Sequence, residues 1–245
     1  MTEIECKCCD KGMEEKKEER KDKIRFRCLV IDHDDTTVES TAAVHYPAHV
    51  RSMEELRPGQ PIVDLDTWFL KNHGVGIGKF FAEEIRWTPA ERARELEIWR
   101  AAAAAQTPEF YPGFLALLRR FVAAGGVVVT CTHSEEQMVR RHYAVRGGGF
   151  VPAHVYGWVA DRSRMKPSAF PVLDAMNRFH LEPADILVLD DLAPGIQMGK
   201  AAGVATAAAG WGQGHRVPLI RDEMKAMCDY YFASVPEFEH FLFME

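Results

Sequence analysis

The chain has no apolar run of the roughly 18–20 residues that a membrane-spanning helix requires. Its first 23 residues are dense in charge and lack the apolar stretch of a secretory signal, so neither export nor a membrane partner is expected. A basic excess is missing too: 30 Lys and Arg stand against 36 Asp and Glu, a formal net charge of -6, which argues against a nucleic-acid partner. Cysteines number six in 245 residues, and Cys28 and Cys131 lie inside strand-like apolar runs. That usage fits reduced thiols in a cytoplasmic protein better than a disulfide framework. Cys6, Cys8 and Cys9 cluster near the start, but no local histidine completes a tetrahedral metal set. No internal repeat is present, and Pro and Gly fall at turns, not in a long linker. The sequence therefore reads as one domain, or one domain with an insertion, whose 47% hydrophobic content can fill a real core.

Residues 1–23 read as a charged, Cys-containing tail, because acids and bases are nearly balanced along Asp10–Lys23 with no apolar face to bury. After it the pattern becomes regular. Strands are expected at Arg25–Ile31, Val127–Cys131, His154–Val159, Ile186–Leu189, Val204–Ala209 and Tyr230–Ser234. Helices are expected at Phe114–Ala123, Ser134–Val145, Phe170–Phe179 and Ala193–Ala202, with Ser134 as an N-cap. Strands alternating with helices predict an α/β fold with a parallel sheet covered on both faces. Residues 41–110 break the alternation, with helical signals at Ser52–Leu56, Leu65–Lys71 and Pro89–Ala105 and no strand. This stretch is expected to form an all-helical cap inserted into a core made of residues 24–40 and 111–245. An insertion at a strand's carboxyl end sits where doubly wound sheets bind ligands.

The chemistry concentrates in Asp32-His33-Asp34-Asp35-Thr36-Thr37-Val38-Glu39-Ser40, directly after the first apolar strand. Three acids within four residues at the end of a buried strand repel one another unless a cation joins them. Hard carboxylate oxygens suit Mg²⁺; an acidic turn in solvent is the plainer alternative. A second pair, Asp190-Asp191, follows the Ile186–Leu189 strand, and in a parallel sheet the two clusters emerge on one edge. Capping of the next helix accounts for one of these acids but not both. Thr132 ends the second strand ahead of a helix N-terminus, a natural anion site. Lys166, before Pro167, can present its ammonium to phosphate oxygens.

In this order the four segments resemble the haloacid dehalogenase-like superfamily, over roughly residues 24–240. Asp32–Ser40 resembles its first motif, Thr132 its second, and Lys166-Pro167 its third. Asp190-Asp191 with Leu192–Ile196, followed by Ala201-Ala202-Gly203, resembles its fourth. The resemblance implies a Rossmann-like doubly wound core with a first-type helical cap, acting on a small phosphorylated metabolite. It implies Asp32 as the nucleophile that becomes an aspartyl-phosphate, and Asp34 as general acid and then general base. Thr132 and Lys166 would hold phosphoryl oxygens. Mg²⁺ would be bound by Asp32, Asp34 through its backbone carbonyl, Asp191, and Asp190 directly or through water. Two departures stand out. Asp35 occupies a position that is usually Gly, and Gly195 occupies one where a branch of the family carries a second acid.

The acid at position 34 points to phosphate-ester chemistry, because the dehalogenases of the family lack it and the transport ATPases carry Thr there. The expected activity is a Mg²⁺-dependent phosphomonoesterase. A sugar phosphomutase is the alternative; a phosphonate hydrolase and a non-catalytic binding protein rank below it. His45, Tyr46 and His49 follow the first motif closely and are candidates to line the cap mouth. Trp68 and Phe69 are expected in the cap's own core. Lys71 and Lys79 are the candidates for a phosphonate-type imine, with surface lysine as the plainer reading. Gly74–Lys79 has the look of a phosphate loop, but it lacks a preceding strand, the full spacing and a following Ser or Thr. The sequence does not settle the oligomeric state, and a monomer is the default.

Overall fold

The computed structural model describes residues 22–74 and 76–244, which leaves the Cys6, Cys8 and Cys9 cluster and most of the expected tail outside the described residues. Strands are numbered in chain order: β1 Lys23–Ile24, β2 Cys28–Ile31, β3 Val127–Cys131, β4 His154–Tyr156, β5 Ile186–Asp190, β6 Ala205–Ala209, β7 Tyr230–Phe232 and β8 Phe243–Met244. The helices are α1 Tyr46–Leu56, α2 Leu65–His73, α3 Ile77–Lys79, α4 Pro89–Ala105, α5 Phe114–Ala123, α6 Glu136–Arg146, α7 Phe170–Phe179, α8 Ala193–Ala201, α9 Pro218–Met227 and α10 Val235–Leu242.

Six strands form one parallel sheet in the order β4-β3-β2-β5-β6-β7. The chain starts in the middle at β2, winds outward through β3 and β4, then returns to β5 beside β2 and winds the other way. The order therefore reverses between β2 and β5, and a crevice opens there at the carboxyl ends of the strands. Every residue of β2 is buried. Alternation divides that burial between the two faces: Leu29 and Ile31 pack with α5, α6 and α10, while Cys28 and Val30 pack with α7 and α8. A small antiparallel pair, β1 with β8, ties the start of the described chain to its end. Asp22 extends that tie by pairing with Arg120 at 2.7 Å. Asp22 and Lys23, the last two residues of the stretch expected to be a tail, thus contact the core.

The insertion is helical, as expected. Glu39 N–H donates to the Glu109 carbonyl (2.9 Å) and Tyr111 N–H to the Thr37 carbonyl (3.1 Å), so the two segments joining cap to core run side by side. α4 starts on a capping box from Thr88 and Glu91, and Glu91 also takes a bidentate pair from Arg57 at 2.6 and 2.8 Å. Trp68, Phe80 and Phe81 form the cap's own core. Phe69 differs from expectation: it leaves that cluster and packs with Ala193, Ile196, Val217 and Ile220 of the α/β core.

Two helices of the α/β core, α9 and α10, are absent from the sequence reading although their apolar residues follow helical spacing. α9 contributes Ile220 and Met224 to the packing, and α10 contributes Val235, Phe238 and Leu242. Phe238 is fully buried against Phe114, Trp211 and Phe232. Phe238→Ala should lower unfolding free energy by about 3–5 kcal/mol, as for other buried aromatic truncations. A chemical denaturation curve checks this; a loss under about 1 kcal/mol would remove α10 from the cooperative core.

Candidate active site

The site gathers at the crevice between β2 and β5. Asp32 directly follows β2, and its backbone N–H continues the ladder to the Leu189 carbonyl at 2.8 Å. Asp190 closes β5 and Asp191 follows it, so in-register pairing of the two strands brings all three acids to one edge. One carboxylate oxygen from each of Asp32, Asp190 and Asp191 lies within 4.8 Å of the other two, and all three residues are buried. Lys166, itself buried, reaches in from the segment before α7 and donates to Asp32 Oδ1 at 2.5 Å and to Asp190 Oδ2 at 2.6 Å.

These charges set one another's protonation. Burial pushes the Asp32 carboxyl up to about 8; Lys166 opposes that shift, and Asp190 and Asp34 add to it. Burial, followed by Asp32, Asp190 and Asp35, holds Asp191 well above the usual carboxylate range. Burial alone would lower the Lys166 ammonium, but Asp190 and Asp32 outweigh it and keep the lysine charged. A set of oxygen donors that repel one another in a dry site fits a hard divalent cation, which removes that repulsion. Asp191 is oriented for such a role. Its Oδ1 accepts from Thr36 Oγ1 at 3.1 Å, its backbone N–H donates to the same hydroxyl oxygen at 3.0 Å, and its carbonyl meets His215 Nε2 at 2.8 Å.

Asp34 faces a different environment. Oδ1 accepts from Ser40 Oγ (2.7 Å) and from His45 Nε2 (3.0 Å). Oδ2 accepts from Ser134 Oγ (2.6 Å) and Thr132 Oγ1 (3.2 Å). Burial would raise its pKa, but His45 and then His33 and Ser134 outweigh burial and hold it well below the usual range. Asp34 is therefore a carboxylate in this conformation, held by four side chains. Thr132 Oγ1 also accepts from Ser134 N–H at 3.0 Å. Ser134, expected as a helix cap, instead spends its hydroxyl on Asp34, and Glu135 takes the N-cap position of α6.

Asp35 adopts φ 60°, the left-handed region that a non-Gly residue tolerates best when it is Asp or Asn. Its Oδ1 accepts from Thr41 N–H at 3.2 Å, at the first residue of the helical insert. Gly195 also has a local reason: a Cβ there would collide with the Asp190 carboxyl, so glycine leaves that acid its place. A loop after β6 completes the surround. Trp211 Nε1 donates to the Thr36 carbonyl at 2.9 Å, and a Cβ on Gly212 would stand 2.7 Å from the Asp35 carbonyl. Thr36, Ser40, Trp211 and His215 have no individual role in the sequence reading, and Ser134 has only that of a helix cap. Their signals were the hydroxyls within the first motif and the Gly-rich run 210–214 at the end of a parallel strand.

The cap candidates part ways. His45 contacts Asp34 and accepts from Trp99 Nε1 at its Nδ1 (2.9 Å). A second proton on the ring would have to occupy that same Nδ1, so the indole hydrogen bond selects the neutral ring with its hydrogen on Nε2; it does so against Asp34, which outweighs burial and raises His45 above its ordinary value. Tyr46 instead donates to the Val63 carbonyl at 3.0 Å, and His49 stacks 4.3 Å from Trp68, near Phe80 and Phe81, inside the cap. Burial there lowers His49 to about 4. Lys71 pairs with Glu84 at 2.7 Å, and Lys79 is exposed.

The comparisons with known proteins agree with this architecture. The model of the haloacid dehalogenase-like hydrolases matches residues 26–203. The chain belongs to that hydrolase family. No curated protein sequence matches it significantly. Among solved structures, a haloacid dehalogenase-like family hydrolase of Streptococcus pneumoniae superposes with a TM-score of 0.68 at 17% identity, over 87% of this chain and 97% of that one. A protein bearing the name phosphoglycolate phosphatase from Lactobacillus plantarum gives 0.70 at 16% identity, over 89% and 100%. CbbY of Rhodobacter sphaeroides, solved with phosphate, gives 0.65 at 19% identity, over 85% and 94%. At these identities the likeness is one of fold. Among the described residues, no helix is long and apolar enough to cross a membrane.

Asp35 yields a stability test with a definite sign. Burial, partly offset by the Thr41 bond, raises its carboxyl from 3.8 to about 6. The folded state thus holds this proton more tightly than the unfolded chain does. Stability is full below the unfolded value, falls as pH rises toward 6, and stays reduced above that. Asp35→Asn keeps the acceptor for Thr41 and removes the charge. It should stabilise the metal-free protein by on the order of 2 kcal/mol more at pH 7.5 than at pH 4.5. Urea midpoints in chelator at the two pH values check this; an equal difference at both would refute it.

Proposed function

We propose that the protein is a Mg²⁺-dependent phosphomonoesterase that works through an aspartyl-phosphate on Asp32. The observation that carries this reading is the convergence of Asp32, Asp190, Asp191 and Lys166 at one strand edge, with Asp34 two residues beyond Asp32 and held by hydroxyls. Asp32, Asp191 and Asp190 would hold Mg²⁺ together with the Asp34 carbonyl. When bound, the ion would neutralise negative charge where an anionic nucleophile meets an anionic substrate.

The chain's own groups supply the rest. An Asp32 carboxylate oxygen attacks phosphorus in line with the ester oxygen; the new O–P bond forms as the P–O ester bond breaks. The departing alkoxide takes a proton from Asp34, so Asp34 must gain that proton as substrate enters. Water then attacks the acyl phosphate and loses a proton to Asp34, releasing inorganic phosphate and the Asp32 carboxylate. Thr132 Oγ1 and Lys166 Nζ are the donors suited to the equatorial phosphoryl oxygens. In the structure Thr132 serves Asp34, so an incoming phosphoryl group competes with that carboxylate for the same hydroxyl. The helical cap, which brings His45 to Asp34, would exclude bulk water during transfer.

The imine route of a phosphonate hydrolase finds no support at Lys71, which is committed to Glu84. The comparison protein named as a phosphatase, and the one solved with phosphate, are consistent with the ester reading.

Two substitutions test the assignment on a panel of phosphate monoesters. Asp32→Asn should reduce Mg²⁺-dependent phosphate release about 10³-fold or more. Asp34→Asn should cost about 10²–10⁴-fold on alkyl esters. Chelator should abolish turnover and added Mg²⁺ should restore it. Undiminished turnover by Asp32→Asn would sink the aspartyl-phosphate.

A further inference from the structure

Asp34 belongs to the core, but one of its four donors arrives on the insert. His45 ends a helical turn, Thr41–His45, that leads out of the first motif into α1. Its Nδ1 accepts the indole N–H of Trp99, which lies 54 residues further on in α4. The two rings lie nearly parallel, 20° apart with centroids 6.0 Å apart. Trp99 itself packs with Val44, Ala103 and Met138, so the indole is held between the insert and α6.

An indole N–H is a donor only, and a neutral imidazole carries one donor and one acceptor. With Nδ1 fixed as acceptor, the ring's hydrogen must sit on Nε2, the atom 3.0 Å from Asp34 Oδ1. The other tautomer would set two N–H groups against each other at Trp99 and leave Nε2 facing the carboxylate with a lone pair. The chain Trp99 to His45 to Asp34 is therefore directional.

We propose that Trp99 is a positioning residue for the general acid–base: it sets the His45 tautomer so that Nε2–H holds Asp34 Oδ1 and aims the carboxyl. This role rests on the phosphomonoesterase reading, whereas the tautomer itself does not. Asp34 Oδ2 can then leave Ser134 and Thr132 when a phosphoryl oxygen takes the Thr132 hydroxyl, while Oδ1 stays anchored. Because the anchor comes from the insert, the acid is aimed only when α1 and α4 are packed as they are here.

The test uses the full-length protein with Mg²⁺. Trp99→Phe removes the N–H and keeps a stacking ring. In ¹⁵N spectra of histidine-labelled protein, wild-type His45 should show an unprotonated Nδ1 and a protonated Nε2. Trp99→Phe should lose that fixed pattern, and an unchanged pattern would overturn the proposal. Kinetically, kcat/KM ends with departure of the leaving group, so it reads proton donation to that group. For an alkyl phosphate, kcat/KM should fall on the order of 10-fold in Trp99→Phe. For 4-nitrophenyl phosphate, whose leaving group needs no proton, it should change by no more than about 2-fold. In a His45→Gln background the amide donates to Asp34 without a tautomer to choose, and Trp99→Phe should add nothing further. Equal losses on both esters, or additive losses in the double variant, would show a merely structural tryptophan. Absence of Mg²⁺-dependent turnover in the wild type alongside the expected ¹⁵N pattern would overturn the acid–base role and the phosphomonoesterase reading while leaving the tautomer assignment standing.

Discussion

The bridge from Lys166 to Asp32 and Asp190 is the constraint on which the site depends. A parallel sheet with β2 beside β5 necessarily delivers both acidic segments to one edge, and four carboxyl groups, Asp32, Asp35, Asp190 and Asp191, end up buried there. Stacking carboxylates in a dry crevice is unfavourable, and one ammonium does not offset several. The fold therefore tolerates the cluster through three devices. Lys166 ties two of the acids, Thr36 satisfies a third, and Asp35 is turned onto Thr41. What remains is a set of oxygen donors with too few cations among them, the property that in the proposed reading would make the crevice receptive to a divalent cation and then to a phosphoryl group.

The cap is joined to that site through chemistry as well as through chain connectivity. Thr41 N–H donates to Asp35 and His45 meets Asp34, so the first helical turn of the insert is hydrogen-bonded to the first motif itself. On the far side, Arg100 of α4 reaches Glu135 at 2.6 Å, beside Ser134, and Arg216 reaches Asp66 at 2.9 Å. Exposed pairs of this kind contribute little stability singly. Their positions matter more than their energies, since each spans the seam between insert and core. A motion of the insert would break them together with the contacts to Asp34.

The sequence made the frame legible because the frame obeys strong local rules. Apolar β-rich runs after turn residues marked all six strands of the parallel sheet, and the order of Asp32, Thr132, Lys166 and Asp190-Asp191 marked the edge where the site lies. Helices α9 and α10 lie outside the sequence reading although Ile220 and Met224, and Val235, Phe238 and Leu242, carry the apolar spacing of a buried helical face. Ser134 was read as a cap, the role it has most often after a strand, but the helix starts two residues later and frees its hydroxyl for Asp34. Histidines near the first motif looked alike in sequence, yet one turn of helix separates His45, which faces Asp34, from His49, which faces Trp68. Facing direction depends on where the helix starts and how it is wound, and the five-residue turn Thr41–His45 is π-type. Sequence spacing alone does not reveal that winding.

Asp35 shows how a departure from the usual motif is absorbed. A glycine at this turn supplies a positive φ at no steric cost; Asp supplies it at some cost and brings a charge. The backbone around it is fixed from both sides, with Asp35 N–H donating to the Val38 carbonyl at 2.7 Å and Gly212 passing close to its own carbonyl. The side chain then has one productive outlet, the Thr41 N–H at the start of the insert. An anion beside the free N–H groups of a helical start is favourably placed. The same carboxyl also sits next to Asp34, which works the other way and contributes to its raised pKa. The residue thus exchanges a conformational advantage for a contact between the catalytic loop and the cap. Its charge still reaches the acid cluster, since Asp35 is one of the groups that raise Asp191, after burial, Asp32 and Asp190.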